Sequence, residues 1–138
     1  MSLVKTGKTS SKLSFWAGWI CSGLIVLFML LDSISKFLKP EPVLQGTVEL
    51  GYAEHHIVLI GVLGLVPTIF YAVPRTSVLG AVLLTGYFGG AVATHVRLDN
   101  PLYSHILFPV YFTILAWVGL WLRDEGLRRF FPVRKFEA

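Results

Sequence analysis

The sequence predicts an all-α protein, a transmembrane four-helix bundle with a short amphipathic helix between helices one and two. Three observations carry this. Hydrophobic residues make up 54% of the 138 and charged residues only 14%, whereas a soluble domain has about 25% charged residues to cover its surface. Mean hydropathy is +0.68. The apolar residues fall in long blocks, not stripes, which is the pattern of membrane spans.

One domain is expected from the length. It divides into a basic tail at 1–12, a four-helix domain at 13–122 and a second basic tail at 123–138. The tail MSLVKTGKTSSK is rich in small and basic residues and reads as flexible. The block LSFWAGWICSGLIVLFMLL (13–31) is too long for a signal-peptide core and is followed by Asp32 and Lys36, not by a cleavage site. It reads as a retained first span. Pro40 and Pro42 stop that helix. The stretch from Pro42 to Leu50 can form a short amphipathic helix across the mouth of the bundle. Leu44 and Val48 would share one side, with Gln45 and Glu49 as a polar strip beside them. Gly51 allows the turn that follows.

Residues 55–73 form the second span, where Pro67 predicts a kink and Gly61 and Gly64 permit close approach of a neighbour. Pro74 and Arg75 reverse the chain. The third span, 77–96, carries Gly80, Gly86, Gly89, Gly90 and Ala93, which predict heavy packing. Asn100 and Pro101 suit the N-cap and first position of a fourth helix, 101–122, with a second kink at Pro109.

The formal charge of +4 does not point to nucleic acid. The basic residues stand at the ends of apolar blocks and form no continuous basic face. With the N-terminus inside, nine Lys and Arg fall in cytoplasmic segments and three (Lys36, Lys39 and Arg97) in outer ones. Both termini are then cytoplasmic. Trp16, Trp19, Trp117 and Trp121 lie near the inner ends of spans one and four, as an aromatic belt would. Cys21 is the only cysteine, so the chain carries no disulfide and no CxxC redox pair.

Counting ~1.5 Å per residue, Asp32, His55, His56, His95 and His105 all fall roughly 26–28 Å up their helices, against a hydrocarbon core of ~30 Å. Long basic side chains at such a rim reach the headgroups, and that is the reading for Lys39 and Arg97. Asp32 and His95 are too short for that, and ionisable groups inside a membrane are candidates for function. Local ion pairs, Asp32 with Lys36 and His95 with Asp99, are the structural alternative. Asp32, Glu49 and His95 are therefore the candidate acid–base residues. These three, with Tyr52 and Asp99, are expected to face inward around the outward mouth. Tyr52, Tyr87, His105 and Tyr111 are candidate lining for a flat apolar ligand such as a quinone. Metal is disfavoured, since no H-x-x-x-H or H-E-x-x-H spacing occurs. Haem is disfavoured too, since it needs two facing histidines and a deep slot.

The chain resembles the DoxX-like family over about residues 22–122. The features that carry the resemblance are DSISK (32–36), VELGY (48–52), a Gly-rich second helix closed by Pro74, TGYFGGAVATH (85–95) with Asp99 after it, and Pro109. The family often has Pro after LGY, where this chain has Ala53. The resemblance implies a small four-helix integral membrane protein. Some relatives are subunits of quinone-linked thiosulfate oxidation, and others act as membrane assembly or trafficking factors. Two expectations follow. One is a binding protein that holds a small lipophilic molecule, a lipid or partner helices at an outward-facing polar pocket, or an assembly or chaperone-type accessory subunit. The other is a small membrane enzyme, a quinone-linked oxidoreductase or an isomerase, using the Asp/Glu/His layer. Expected partners are membrane lipids, a partner membrane protein or a second copy of the chain. The expected location is a bacterial cytoplasmic membrane.

Overall fold

The computed structural model describes residues 6–130, with side chains from Lys12 onward. The helices run in the order α1 (Thr6–Leu38), α2 (Glu41–Glu49), α3 (Ile57–Ala72), α4 (Ser77–Arg97), α5 (Phe108–Arg123) and α6 (Glu125–Phe130). No strand occurs among the described residues. Four stretches are long and apolar enough to cross a membrane: Lys12–Leu38, Glu54–Ala72, Pro74–Arg97 and Leu102–Arg123. Their number and order are those the sequence predicts. Large apolar side chains such as Ile20, Leu24, Leu63, Val82 and Ile114 point outward. In water that surface would associate or aggregate; against lipid it is the matching solvent.

The four long helices form a ring. α1 packs on α3 and α5, and α4 packs on the same two from the opposite corner. Small residues set the spacing at one end. A Cβ added at Gly18 would stand 2.7 Å from the Gly119 carbonyl oxygen, and one at Gly80 would stand 2.1 Å from the Tyr71 nitrogen. Gly61 lies against Lys36 and Phe37, and Gly64 against Met29, Ser33 and Tyr87. The expected packing of the α4 glycines holds only for Gly80. At Gly86, Gly89 and Gly90 an added Cβ would meet nothing within 4 Å. These three sit on the outward flanks of α4, away from the buried side that carries Gly80, Ala81, Leu84 and Phe88.

Several boundaries differ from the sequence reading. α1 reaches back to Thr6, inside the segment read as a flexible tail, and ends at Leu38, just ahead of Pro40 as expected. Residues 131–138 of the second tail lie outside the described residues. α1 ends where Lys39 turns left-handed at φ 52° ahead of Pro40. On α2 the buried residue is Thr47, while Val48 is exposed. The Thr47 hydroxyl donates to the Val43 carbonyl at 2.9 Å, which lets a polar residue be buried there. Gly51 makes its turn at φ 88°, a conformation that favours glycine. α3 runs unbroken through Pro67. Asn100 does not cap a helix. The fourth span opens with a π-helical turn at Leu102–Ile106, with the Leu107 amide bonding the Leu102 carbonyl at 2.9 Å. Pro109 then falls in the first turn of α5, where its missing N–H costs nothing.

At the end of the bundle where α5 finishes, Arg123 ties the four helices together. Its Nε donates to Ser22 Oγ at 2.9 Å. One terminal nitrogen donates to the Tyr71 carbonyl at 3.3 Å and to Ser77 Oγ at 3.2 Å. The guanidinium lies 4.2 Å from the centroid of the Trp19 ring. Tyr71 is fully buried, and its hydroxyl donates to the Ala116 carbonyl at 2.7 Å. That hydroxyl has one proton, so Ser22 is the donor in the 2.9 Å Ser22–Tyr71 bond. A directed chain results: Arg123 to Ser22 to Tyr71 to Ala116. Two stability measurements in detergent micelles check this region. Lysine has no planar fork, so Arg123→Lys is expected to destabilise the fold by about 1.5–3 kcal/mol. Gly80→Val is expected to cost about 1–3 kcal/mol through overpacking, while Gly23→Ala, whose Cβ meets nothing within 4 Å, leaves melting unchanged or higher.

Candidate functional site

At the other end the helices enclose a cavity of about 690 Å³. Five helices line it. On α1, Phe28, Asp32 and Lys36 recur at intervals of four, so one helical face carries both the apolar and the charged part. α3 contributes Leu59, Leu63 and Pro67; α4 contributes Leu83, Gly86, Tyr87, Gly90, Thr94 and His95; α5 contributes Phe108 and Phe112. α2 lies across the end, supplying Thr47 and, just after it, Leu50 and Tyr52. The deep part is aromatic. Phe112 stacks on Phe28 at 4.4 Å between ring centroids, with Phe108 at 4.7 Å and Phe88 at 6.0 Å.

The polar groups gather at the rim, and most are already paired. Lys36 Nζ donates to Asp32 Oδ2 across one helical turn. Tyr87, from α4, lines the same cavity as this ion pair. Thr94 donates its proton to the Gly90 carbonyl at 2.9 Å, so Tyr52 is the donor in the 2.6 Å Tyr52–Thr94 bond. Arg97 reaches over to donate to the Leu50 carbonyl at 2.8 Å. These last two bonds fasten α2 and its following turn to α4. His95 Nδ1 pairs with the Asn100 side-chain amide at 2.8 Å, and its ring meets His105 edge-on at 5.7 Å. Ser33 Oγ, buried beside Gly64, has no hydrogen-bond partner among the described residues.

Of the residues singled out from sequence, Asp32, Tyr52, Tyr87 and His95 line this one cavity, together with His56. The others stand apart from it. Glu49 is exposed on the outer side of α2. Asp99 lies past the end of α4 in a left-handed turn at φ 56°, exposed, and it is Asn100 that pairs with His95. Tyr111 is half exposed on the outer face of α5. His105 is exposed and meets the site through His95; its Nδ1 is hydrogen-bonded to the Ser104 hydroxyl at 2.7 Å. Arg97, read as reaching headgroups, instead folds back onto the backbone of the α2 turn.

The Asp32–Lys36 pair expected from their i, i+4 spacing forms, whereas Thr47 and Thr94 were passed over. For the threonines there was no signal, because an intrahelical Thr bond leaves no mark in the pattern. Cys21 is half-buried on α1 beside Gly119, towards the Arg123 end. Among the described residues, no three His, Cys, Asp or Glu side chains group as a metal site would require.

The comparisons bear on the whole chain. No curated protein sequence and no solved structure matches it. The sequence model of the DoxX-like family matches residues 20–119. That stretch takes in the second and third spans, the greater part of the first and fourth, and the whole cavity lining. With four helices able to cross a membrane and a family match over most of its length, the chain is an integral membrane protein that belongs to the DoxX-like family.

Proposed function

We propose that this protein binds a small lipophilic molecule in the cavity between α1, α3, α4 and α5. The supporting observation is the cavity itself: about 690 Å³, within the ~300–1,000 Å³ range of small-molecule sites, apolar and aromatic in its depth and polar only at one rim. A flat ring or a hydrocarbon chain fits the stacked phenylalanines. A head with hydrogen-bonding atoms meets Tyr52, Tyr87 and His95. Binding is favoured over catalysis because, of the three acid–base candidates, only Asp32 and His95 line the cavity, and each is already paired. Glu49 faces away, Asp32 is held by Lys36, and His95 is held by Asn100.

The orientation belongs to the same proposal. Nine of twelve Lys and Arg lie in the termini and the Pro74–Thr76 turn, so these segments are cytoplasmic and the cavity end faces out. In a bacterial cell that places the protein in the cytoplasmic membrane. Reporter fusions after Arg75 and Ala138 should read inside, and a fusion at Gln45 outside; an inside signal at Gln45 overturns the arrangement.

Mass spectrometry of molecules that co-purify with the protein tests the binding reading. Wild type is expected to carry a lipophilic ligand, and His95→Ala to lose roughly tenfold in occupancy. Melting should fall by no more than about 1 kcal/mol, since His95 makes one part-buried side-chain hydrogen bond. An empty wild-type protein, or equal occupancy in His95→Ala, defeats the reading.

A further inference from the structure

The four seams of the bundle are not alike. Between α1 and α5 the rings of Phe28, Phe108 and Phe112 fill the gap, at 4.4 Å and 4.7 Å between centroids. Between α1 and α3, Gly61 and Gly64 let the helices close on Phe37 and Met29. Between α4 and α5, Trp117 Nε1 donates to Thr85 Oγ1 at 2.8 Å. The end is crossed by α2, fastened to α4 through Tyr52 and Arg97. The seam between α3 and α4 differs. Leu59, Leu63, Leu83, Gly86 and Gly90 line the cavity and are all exposed. A Cβ added at Gly86 or Gly90 would meet nothing within 4 Å. Along this seam the cavity wall is exposed leucine and bare helix backbone, with no ring or hydrogen bond closing it.

From this geometry we propose that the ligand is an uncharged amphiphile with one long hydrocarbon chain, and that it reaches the cavity sideways from the bilayer, between α3 and α4. The proposal rests on the binding role above and adds the class of ligand and its route. The chain lies in the seam, against Leu63, Leu83 and the two glycines, where no polar group would contact it. The head sits at the rim. Asp32 and Lys36 compensate each other there, so a charged head would be desolvated with no counter-charge to meet it. A hydroxyl or carbonyl head finds donors and acceptors in Tyr52, Tyr87 and His95 instead. A two-chain phospholipid is too large for about 690 Å³. The chain does not need to unseat α2, because the seam opens directly onto lipid.

The test uses the whole protein in proteoliposomes with a monoacylglycerol carrying a mid-chain diazirine. After illumination, adducts are mapped by mass spectrometry. They are expected on α3 and α4 at Leu59–Leu63 and Leu83–Gly90. Filling the seam with Gly86→Leu plus Gly90→Leu should lower labelling roughly tenfold with melting unchanged. If that variant does not fold, Leu59→Trp fills the seam from the α3 side. A fatty carboxylate and a fatty ammonium with the same diazirine should each label roughly tenfold less than the monoacylglycerol. Labelling of a folded seam-filled variant at the wild-type level overturns the lateral route while leaving the binding role standing. Equal labelling by a charged analogue overturns the uncharged head. No cavity adduct in wild type, in protein that still co-purifies with another ligand, defeats this inference alone; no adduct and no ligand defeats both readings.

Discussion

The Arg123 guanidinium is the contact on which the rest of the bundle depends. It joins Ser22 and Trp19 of α1, the Tyr71 carbonyl at the end of α3, Ser77 at the start of α4 and its own helix α5. In water, burial of apolar surface would bring four such helices together. In lipid that driving force is absent between helices, because acyl chains are as apolar as leucine. Packing and polar contacts must hold the bundle. A charged donor at the head of a directed chain, Arg123 to Ser22 to Tyr71 to Ala116, supplies contacts stronger than neutral pairs. The glycine contacts at Gly18 and Gly119 and at Gly80 and Tyr71 lie at the same end. The backbones are closest where the guanidinium holds them.

A bundle clamped at one end can hold space at the other. Towards the cavity the contacts change from backbone on backbone to side chain on side chain, as in Phe28 and Phe108 on Phe112. The polar rim is built on the same economy. Asp32 is tolerable at this depth because Lys36 lies one turn away and pairs with its carboxylate. An unpaired carboxylate there would be costly. Arg97 likewise gives its hydrogen bond to the Leu50 carbonyl, an acceptor that the end of α2 leaves outside any longer helix. These bonds make α2 part of the bundle.

Much of this was legible in the sequence, for local reasons. Block length fixed the four spans, and Pro40, Gly51 and Pro74 marked the breaks because their effects on the backbone do not depend on neighbours. Asp32 and Lys36 share a helix, so their spacing alone predicted contact. Counting rise per residue put Asp32, His56 and His95 at one depth, and the same cavity receives all three. Glu49 and Asp99 escaped the same arithmetic. Depth along an axis says nothing of azimuth: Glu49 ends the short α2, and Asp99 lies past the end of α4 in a left-handed turn. Arg123 was read only as a topology charge. Its partner Ser22 lies 101 residues away, and basic residues at span ends look alike in one dimension. The α4 glycines misled for a related reason. A small residue permits close approach but does not require it, and only Gly80 received a neighbour.

That last distinction explains how the cavity can persist. A void among side chains forfeits dispersion contacts on every exposed wall, and the core of a soluble protein would collapse into one of this size where it could. Here the clamp at Arg123 fixes the helices at one end and the stacked phenylalanines brace α1 against α5, so the walls resist collapse. On the remaining side, Gly86 and Gly90 leave the backbone of α4 bare towards lipid. In a bilayer that surface does not stay empty, because hydrocarbon is always at hand to restore the lost contacts. The energetic reference for this site is therefore a cavity filled by bilayer chains, not a vacant one. On the binding role proposed above, a ligand would compete by what its head gains at the rim, beyond what any passing chain already gains from the apolar wall. Selectivity would then rest with Tyr52, Tyr87 and His95, and the aromatic floor would set only how much chain or ring can be held.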